Sequence, residues 1–110
     1  MKKSLIVVSA ILLASLLAFA AGLGGTWNIQ GAVSGAPQRL VFTTNGNTFT
    51  GTLDGGAISG GGIEGTMFWF TAARNGVTYH YKGTLNGNSL ELHESLNQQH
   101  NMYTYTRAGS

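Results

Sequence analysis

The sequence predicts an all-β fold: an antiparallel up-and-down meander closed into a β-barrel of about eight strands, preceded by a signal peptide. Three observations carry this. Apolar residues alternate with polar ones between clusters of Gly, Asn, Asp and Thr that recur roughly every ten residues, the pattern of short strands joined by tight turns. Four Asn-Gly or Asp-Gly dipeptides, at Asn45, Asp54, Asn75 and Asn86, are hairpin signals, because type I′ turns need φ > 0 at both central residues. The first strand opens on Gly25-Thr26-Trp27 and the last ends near Arg107, so that a first-strand Trp and a last-strand Arg are available to shut one end.

The N-terminus comes first. Met1-Lys2-Lys3 is a basic n-region, Leu5 to Phe19 is apolar, and Ala18-Phe19-Ala20 has the small-residue form of a cleavage site. Residues 1–20 therefore read as a secretory signal peptide, cut before Ala21, and 21–110 as a single domain. An uncleaved anchor is the rival reading. The small residues at its end and the lack of a charged flank favour cleavage. The expected location is secreted, periplasmic or cell-surface, and the membrane is met only through this segment during export.

Removing Lys2 and Lys3 leaves Arg39, Arg74, Lys82 and Arg107 against Asp54, Glu64, Glu91 and Glu94, so the mature net charge is zero with histidine neutral. No clustered Lys and Arg mark a nucleic-acid footprint. A charge-poor surface favours self-association. The chain has no cysteine, so a core and a sheet ladder must hold the fold without disulfides.

The strands are predicted at 25–33, 38–44, 47–53, 56–64 (with a bulge at Gly60-Gly61-Gly62), 67–74, 77–85, 88–95 and 101–107. Two-residue loops fix register, and register decides which residues share a face. Asn45-Gly46 sets Phe42 opposite Phe49. Asp54-Gly55 sets Gly51 opposite Ile58, and Asn75-Gly76 sets Phe70 opposite Tyr81. Asn86-Gly87 sets Tyr81 opposite Leu92. In all four hairpins the bulky apolar residues fall on one side, and this agreement supports the turns. Softer joints pair Ile29 with Phe42 across Ser34-Gly35-Ala36-Pro37, Ile63 with Phe68 across Gly65-Thr66, and Leu92 with Tyr105 across Gln98-Gln99. The predicted interior is Trp27, Ile29, Val33, Leu40, Phe42, Phe49, Leu53, Ile58, Ile63, Phe68, Phe70, Tyr79, Tyr81, Leu85, Leu90, Leu92, Tyr103 and Tyr105. Inward Gly31, Gly51 and Gly83 leave room for coiling or large neighbours. A barrel of this size is filled by side chains or holds one small ligand.

Gly25-Thr26-Trp27 with Arg107 resembles the pattern of the calycin group, which comprises lipocalins, fatty-acid-binding proteins and avidins. The resemblance implies a lipocalin-like barrel in which Trp27 packs under Arg107 as a structural closure. The chain is about half a lipocalin's usual length, has no helix and lacks the lipocalin middle-loop motif. Asn28 follows Trp27 directly, where avidins place their biotin-contacting Asn one residue later. Neither biotin nor a lipocalin ligand is therefore implied. The layout, with Ile58-Ser59-Gly60 and Ile63-Glu64-Gly65, also looks like small secreted bacterial barrel domains, which implies a fold and no activity.

Catalytic signals are sparse. No two carboxylates share a predicted site, and there is no nucleophile elbow, phosphate loop or helical metal motif. The expectation is no enzyme, no cofactor and no metal. The predicted register sets His80 opposite His93 on the outer face, but two histidines fall short of a usual metal-ligand count. The same register places Met67, Trp69, His80, Lys82 and His93 together on the outside, with Lys82 facing both Trp69 and Glu91. An outward Trp-Met-His cluster is a candidate contact site for a small ligand, a glycan or a protein. The alternative is a structural surface protein that assembles with copies of itself. Outward threonines need no role beyond β-propensity.

Overall fold

The computed structural model describes residues 22–31 and 33–109. The predicted signal peptide lies outside the described residues. Eight strands, β1 (Gly25–Ile29), β2 (Arg39–Asn45), β3 (Thr48–Leu53), β4 (Gly56–Glu64), β5 (Met67–Arg74), β6 (Val77–Asn86), β7 (Ser89–Leu96) and β8 (Gln99–Arg107), follow one another as an antiparallel meander. The order closes from β8 back to β1 as a barrel.

Two hairpins have the predicted turn. Asp54-Gly55 and Asn75-Gly76 carry positive φ at both loop positions (49° and 87°, 56° and 79°), as a type I′ turn requires. They set Leu53 opposite Gly56 and Phe70 opposite Tyr81. The bulge in β4 falls between Ser59 and Gly62, and Ile63 pairs with Phe68.

Four registers differ from expectation. In Asn45-Gly46-Asn47 and Asn86-Gly87-Asn88 the loop is Gly-Asn, with positive φ on Gly46 (65°) and Gly87 (64°) and on neither Asn47 nor Asn88. Glycine at the first loop position, followed by a second turn-forming residue, competes with the Asn-Gly turn. At the second site Asn88 is also held by β8, accepting from the Arg107 backbone N–H (3.0 Å) and, through Oδ1, from Arg107 Nε (3.1 Å). Phe42 therefore faces Gly51, and Tyr81 faces Glu94 rather than Leu92. The β7–β8 loop is Asn97-Gln98, with Asn97 left-handed at φ 57°, so Leu92 meets Tyr103 and Leu90 meets Tyr105. The fourth difference is in β1, which ends at Ile29, with Gly31 at φ 71°. Trp27 consequently faces Leu40, Ile29 lies opposite Gln38, and Val33 is exposed rather than interior.

These slips leave the faces intact. Moving a two-residue loop by one position slides every pair by two residues, and side chains alternate with period two. Phe42, Phe49, Phe68, Phe70 and Tyr81 accordingly meet inside the barrel. Phe42 sits edge-on to Phe49 (centroids 5.5 Å) and Phe68 (5.6 Å), while Phe70 stacks on Tyr81 (4.9 Å). Inward Gly83 is covered by the Phe68 ring, which stands 2.2 Å from where a Cβ would be. Aromatic side chains occupy the centre that a ligand-holding barrel would leave open.

The two ends are closed differently. At one, buried Trp27 donates its indole N–H to the Leu23 carbonyl (2.9 Å), and the Arg107 guanidinium lies over the ring at 4.3 Å. Arg107 also donates to the carbonyls of Gly24 (2.7 Å) and Gly22. Leu23, which precedes the predicted first strand, is fully buried there. At the other end the 30–38 loop is tied down by Asp54, which accepts from the backbone N–H groups of Gln38 and Arg39, and by Tyr105, whose hydroxyl donates to the Pro37 carbonyl (2.7 Å).

Candidate functional site

The outer wall from β4 to β8 is built from cross-strand rows. One row runs Gly62, Trp69, Lys82, His93, Met102, and the next runs Ser59, Thr71, His80, Ser95, His100. Directly opposite side chains in such rows have Cβ atoms about 4.5–5.5 Å apart, so each row is one continuous contact surface. The sheet curves here into a groove of about 550 Å³ whose lining includes Met67, Trp69, Thr71, His80, Lys82, His93, Ser95 and His100. That volume lies in the range of ligand pockets.

All five residues predicted as a contact patch, Met67, Trp69, His80, Lys82 and His93, line this groove. Trp69 is 39% exposed and lies with its indole across Gly62, where a Cβ would stand 2.5 Å from the ring. A side chain at 62 would displace the indole. Glycine thus lets β4 serve as a bed for Trp69, as Gly83 does for Phe68 on the inner face.

Two expected pairings fall. His80 does not face His93: it faces Ser95, and His93 faces Lys82. Lys82 correspondingly faces His93 and not Glu91, which instead meets the His93 ring at 3.2 Å between Glu91 Oε1 and Nε2. His100, on β8, also faces Ser95. The three histidines of the chain therefore surround Ser95, with His80 and His100 on strands either side of β7 and roughly 10 Å apart by strand spacing. Among the described residues no group of His, Cys, Asp or Glu is arranged to hold a metal ion.

A second cluster, inside the barrel at the 30–38 end, was missed. Glu94 is only 3% exposed and points inward between Tyr81 and Asn101. Its Oε2 accepts from Tyr81 Oη (2.7 Å) and Arg74 Nη1 (2.9 Å), and its Oε1 from Tyr103 Oη (3.0 Å) and Asn101 Nδ2 (3.3 Å). Arg74 Nη2 donates onward to the Gly35 carbonyl (2.9 Å), which fastens the loop above. Burial first, and the bond to Glu94 second, push the Tyr81 hydroxyl well above the usual tyrosine range, so it stays a donor. Parity held the signal: Leu90 and Leu92 face inward, so Glu94 must as well. The network opens on a polar pocket of about 290 Å³ bounded by Ser34, Gln99 and Tyr103. Every oxygen of the carboxylate is engaged, so the cluster reads as a polar plug holding β5, β6, β7 and β8 together.

No protein-family model, no curated protein and no solved structure matches the chain. The eight-strand closed barrel agrees with a lipocalin-like layout.

Proposed function

We propose that this protein is a secreted, non-enzymatic interaction barrel that meets its ligand through the outer groove of β4–β8. The observation that carries this reading is the convergence of Trp69, Met67, Lys82 and the histidines on one concave surface. Exposed aromatic and methionine side chains beside cationic ones are the composition of contact surfaces. The crowded aromatic interior argues against a ligand held inside the barrel. The Trp27–Arg107 closure supports kinship with the calycin group in architecture, with binding moved from the interior to the wall.

Self-assembly as a structural protein is the competing reading. Its simplest route, strand addition at a free sheet edge, is disfavoured because β1 and β8 pair with each other. The mass of the purified mature protein in native solution separates the two: a defined monomer supports the interaction barrel, and open-ended assembly supports the alternative.

Trp69→Ser tests the surface itself. The indole covers Gly62 but contributes nothing to the core, so the variant is expected to lose about 1–2 kcal/mol in urea unfolding, the scale of a cross-strand pair plus part of an aromatic's burial. Binding to glycan or protein arrays should fall by tenfold or more, as for a hot-spot Trp worth roughly 2 kcal/mol. Unchanged binding would remove the groove from the function.

A further inference from the structure

We infer that the ligand of the groove is an acidic polysaccharide strand, and that its binding strengthens as the pH falls from neutral to mildly acidic. This rests on the reading of the groove as the contact surface. It names the chemistry that surface would recognise.

Charge is the first argument. The mature chain is neutral overall, yet Lys82 and all three histidines gather on this one wall. The acids that face the same wall are Glu91, already engaged with His93, and Glu64, which lies opposite Met67 at the end of β4. β5 contributes Met67, Trp69 and Thr71, and β8 contributes Met102 and Thr104 beside His100, so neither adds a carboxylate. Histidine is the side chain whose charge changes between pH 5 and 8. Acidification therefore adds positive charge here while carboxylates on a uronate polymer remain ionised.

Shape and hydrogen bonding supply the second argument. A flat anionic lipid surface fits a concavity poorly, whereas a strand of sugar rings fits a groove that runs across several β-strands. The half-exposed Trp69 indole offers a flat apolar face beside polar groups, and Thr71, Thr84 and Ser95 interleave hydroxyls between the cationic side chains. Sugar rings bring the matching pair of surfaces, an apolar C–H face and a rim of hydroxyls.

The test is calorimetric titration of the mature protein with polygalacturonate, and with a neutral glucan of similar length, at pH 5.5 and 7.5 in low salt. Polygalacturonate is expected to bind about tenfold or more tightly at pH 5.5, the scale of a few unit charges interacting near a surface. Lys82→Ala should weaken binding at both pH values. His80→Gln with His100→Gln should flatten the pH dependence, and Trp69→Ser should abolish binding, with unfolding midpoints confirming that each variant is folded. Equal binding of the neutral glucan, or affinity indifferent to pH, would overturn the acidic-ligand inference and leave the groove as the contact surface. Polygalacturonate binding untouched by Trp69→Ser and Lys82→Ala would overturn both. Failure of polygalacturonate to bind at either pH would overturn the inference alone, since the array comparison with Trp69→Ser tests the groove independently.

Discussion

Trp27→Ala should destabilise the barrel by about 3–5 kcal/mol, the range for emptying a large aromatic site in a core. Trp27 is fully buried, faces Leu40 across β2, and its ring is the floor on which Arg107 lies. Truncation removes three things at once: the packing volume, the indole donor to the Leu23 carbonyl, and the aromatic face under the guanidinium. The short β1 depends on it, since Trp27 sits in the middle of the β1–β8 seam, paired with Arg107 and flanked by the Ala108–Thr26 and Gln30–Thr104 backbone bonds. Loss at this position should therefore open the seam that closes the barrel. Trp27→Phe should retain part of the stability, because the ring plane remains while the hydrogen bond does not. Urea unfolding is the check, and a change below about 1 kcal/mol for Trp27→Ala would remove the residue from its closing role.

Glu94→Ala should cost about 3 kcal/mol or more, although the residue looks from its type like a surface carboxylate. The variant leaves the buried Tyr81 hydroxyl without its acceptor and Arg74 without its counter-charge. Orphaning the partners of a buried pair costs more than the pair itself contributes. Arg74 is 23% exposed and recovers some hydration, which keeps the figure at the lower end of the usual 3–5 kcal/mol range. Glu94→Gln keeps an acceptor oxygen and the volume, so its loss should be roughly half as large. If Glu94→Ala unfolds within about 1 kcal/mol of the parent, the carboxylate is hydrated and the polar plug does not hold that end.

How far the sequence reached follows from what each signal measures. Period-two alternation decides faces, and faces decided the core: Leu40, Phe42, Phe49, Phe68, Phe70, Tyr81, Leu90 and Leu92 are buried as expected. Agreement of faces across a hairpin is blind to a loop displaced by one residue, because the displacement moves pairs by two. Asn45-Gly46-Asn47 and Asn86-Gly87-Asn88 accordingly keep every side chain on its expected face while each pair shifts by two residues. The cost fell on the sites. With Tyr81 set opposite Leu92, nothing drew Glu94 to it, and the Arg74–Glu94–Tyr81 network stayed hidden although its residues had inward parity. On the outer wall the same slip exchanged one neighbour for another along the rows, so the patch survived as a set while the His80–His93 pair did not. Val33 and Leu23 were illegible for another reason. The approach to β2 and the lead-in to β1 are held from distant strands, by Asp54 on the Gln38 and Arg39 amides, Tyr105 on the Pro37 carbonyl and Arg107 on the Gly24 carbonyl, which no local pattern records.

We propose that contact is made on the outer wall and not inside the barrel. Backbone amide shifts of isotopically labelled protein comprising residues 21–110, followed at pH 5.5 during titration with an oligogalacturonate, are the check. Shifts are expected to concentrate on Trp69, Thr71, His80, Lys82, His93, Ser95 and His100, with Ser34, Arg74, Glu94 and Tyr103 unmoved. Shifts confined to that second set, at the mouth closed by the Glu94 network, would contradict it.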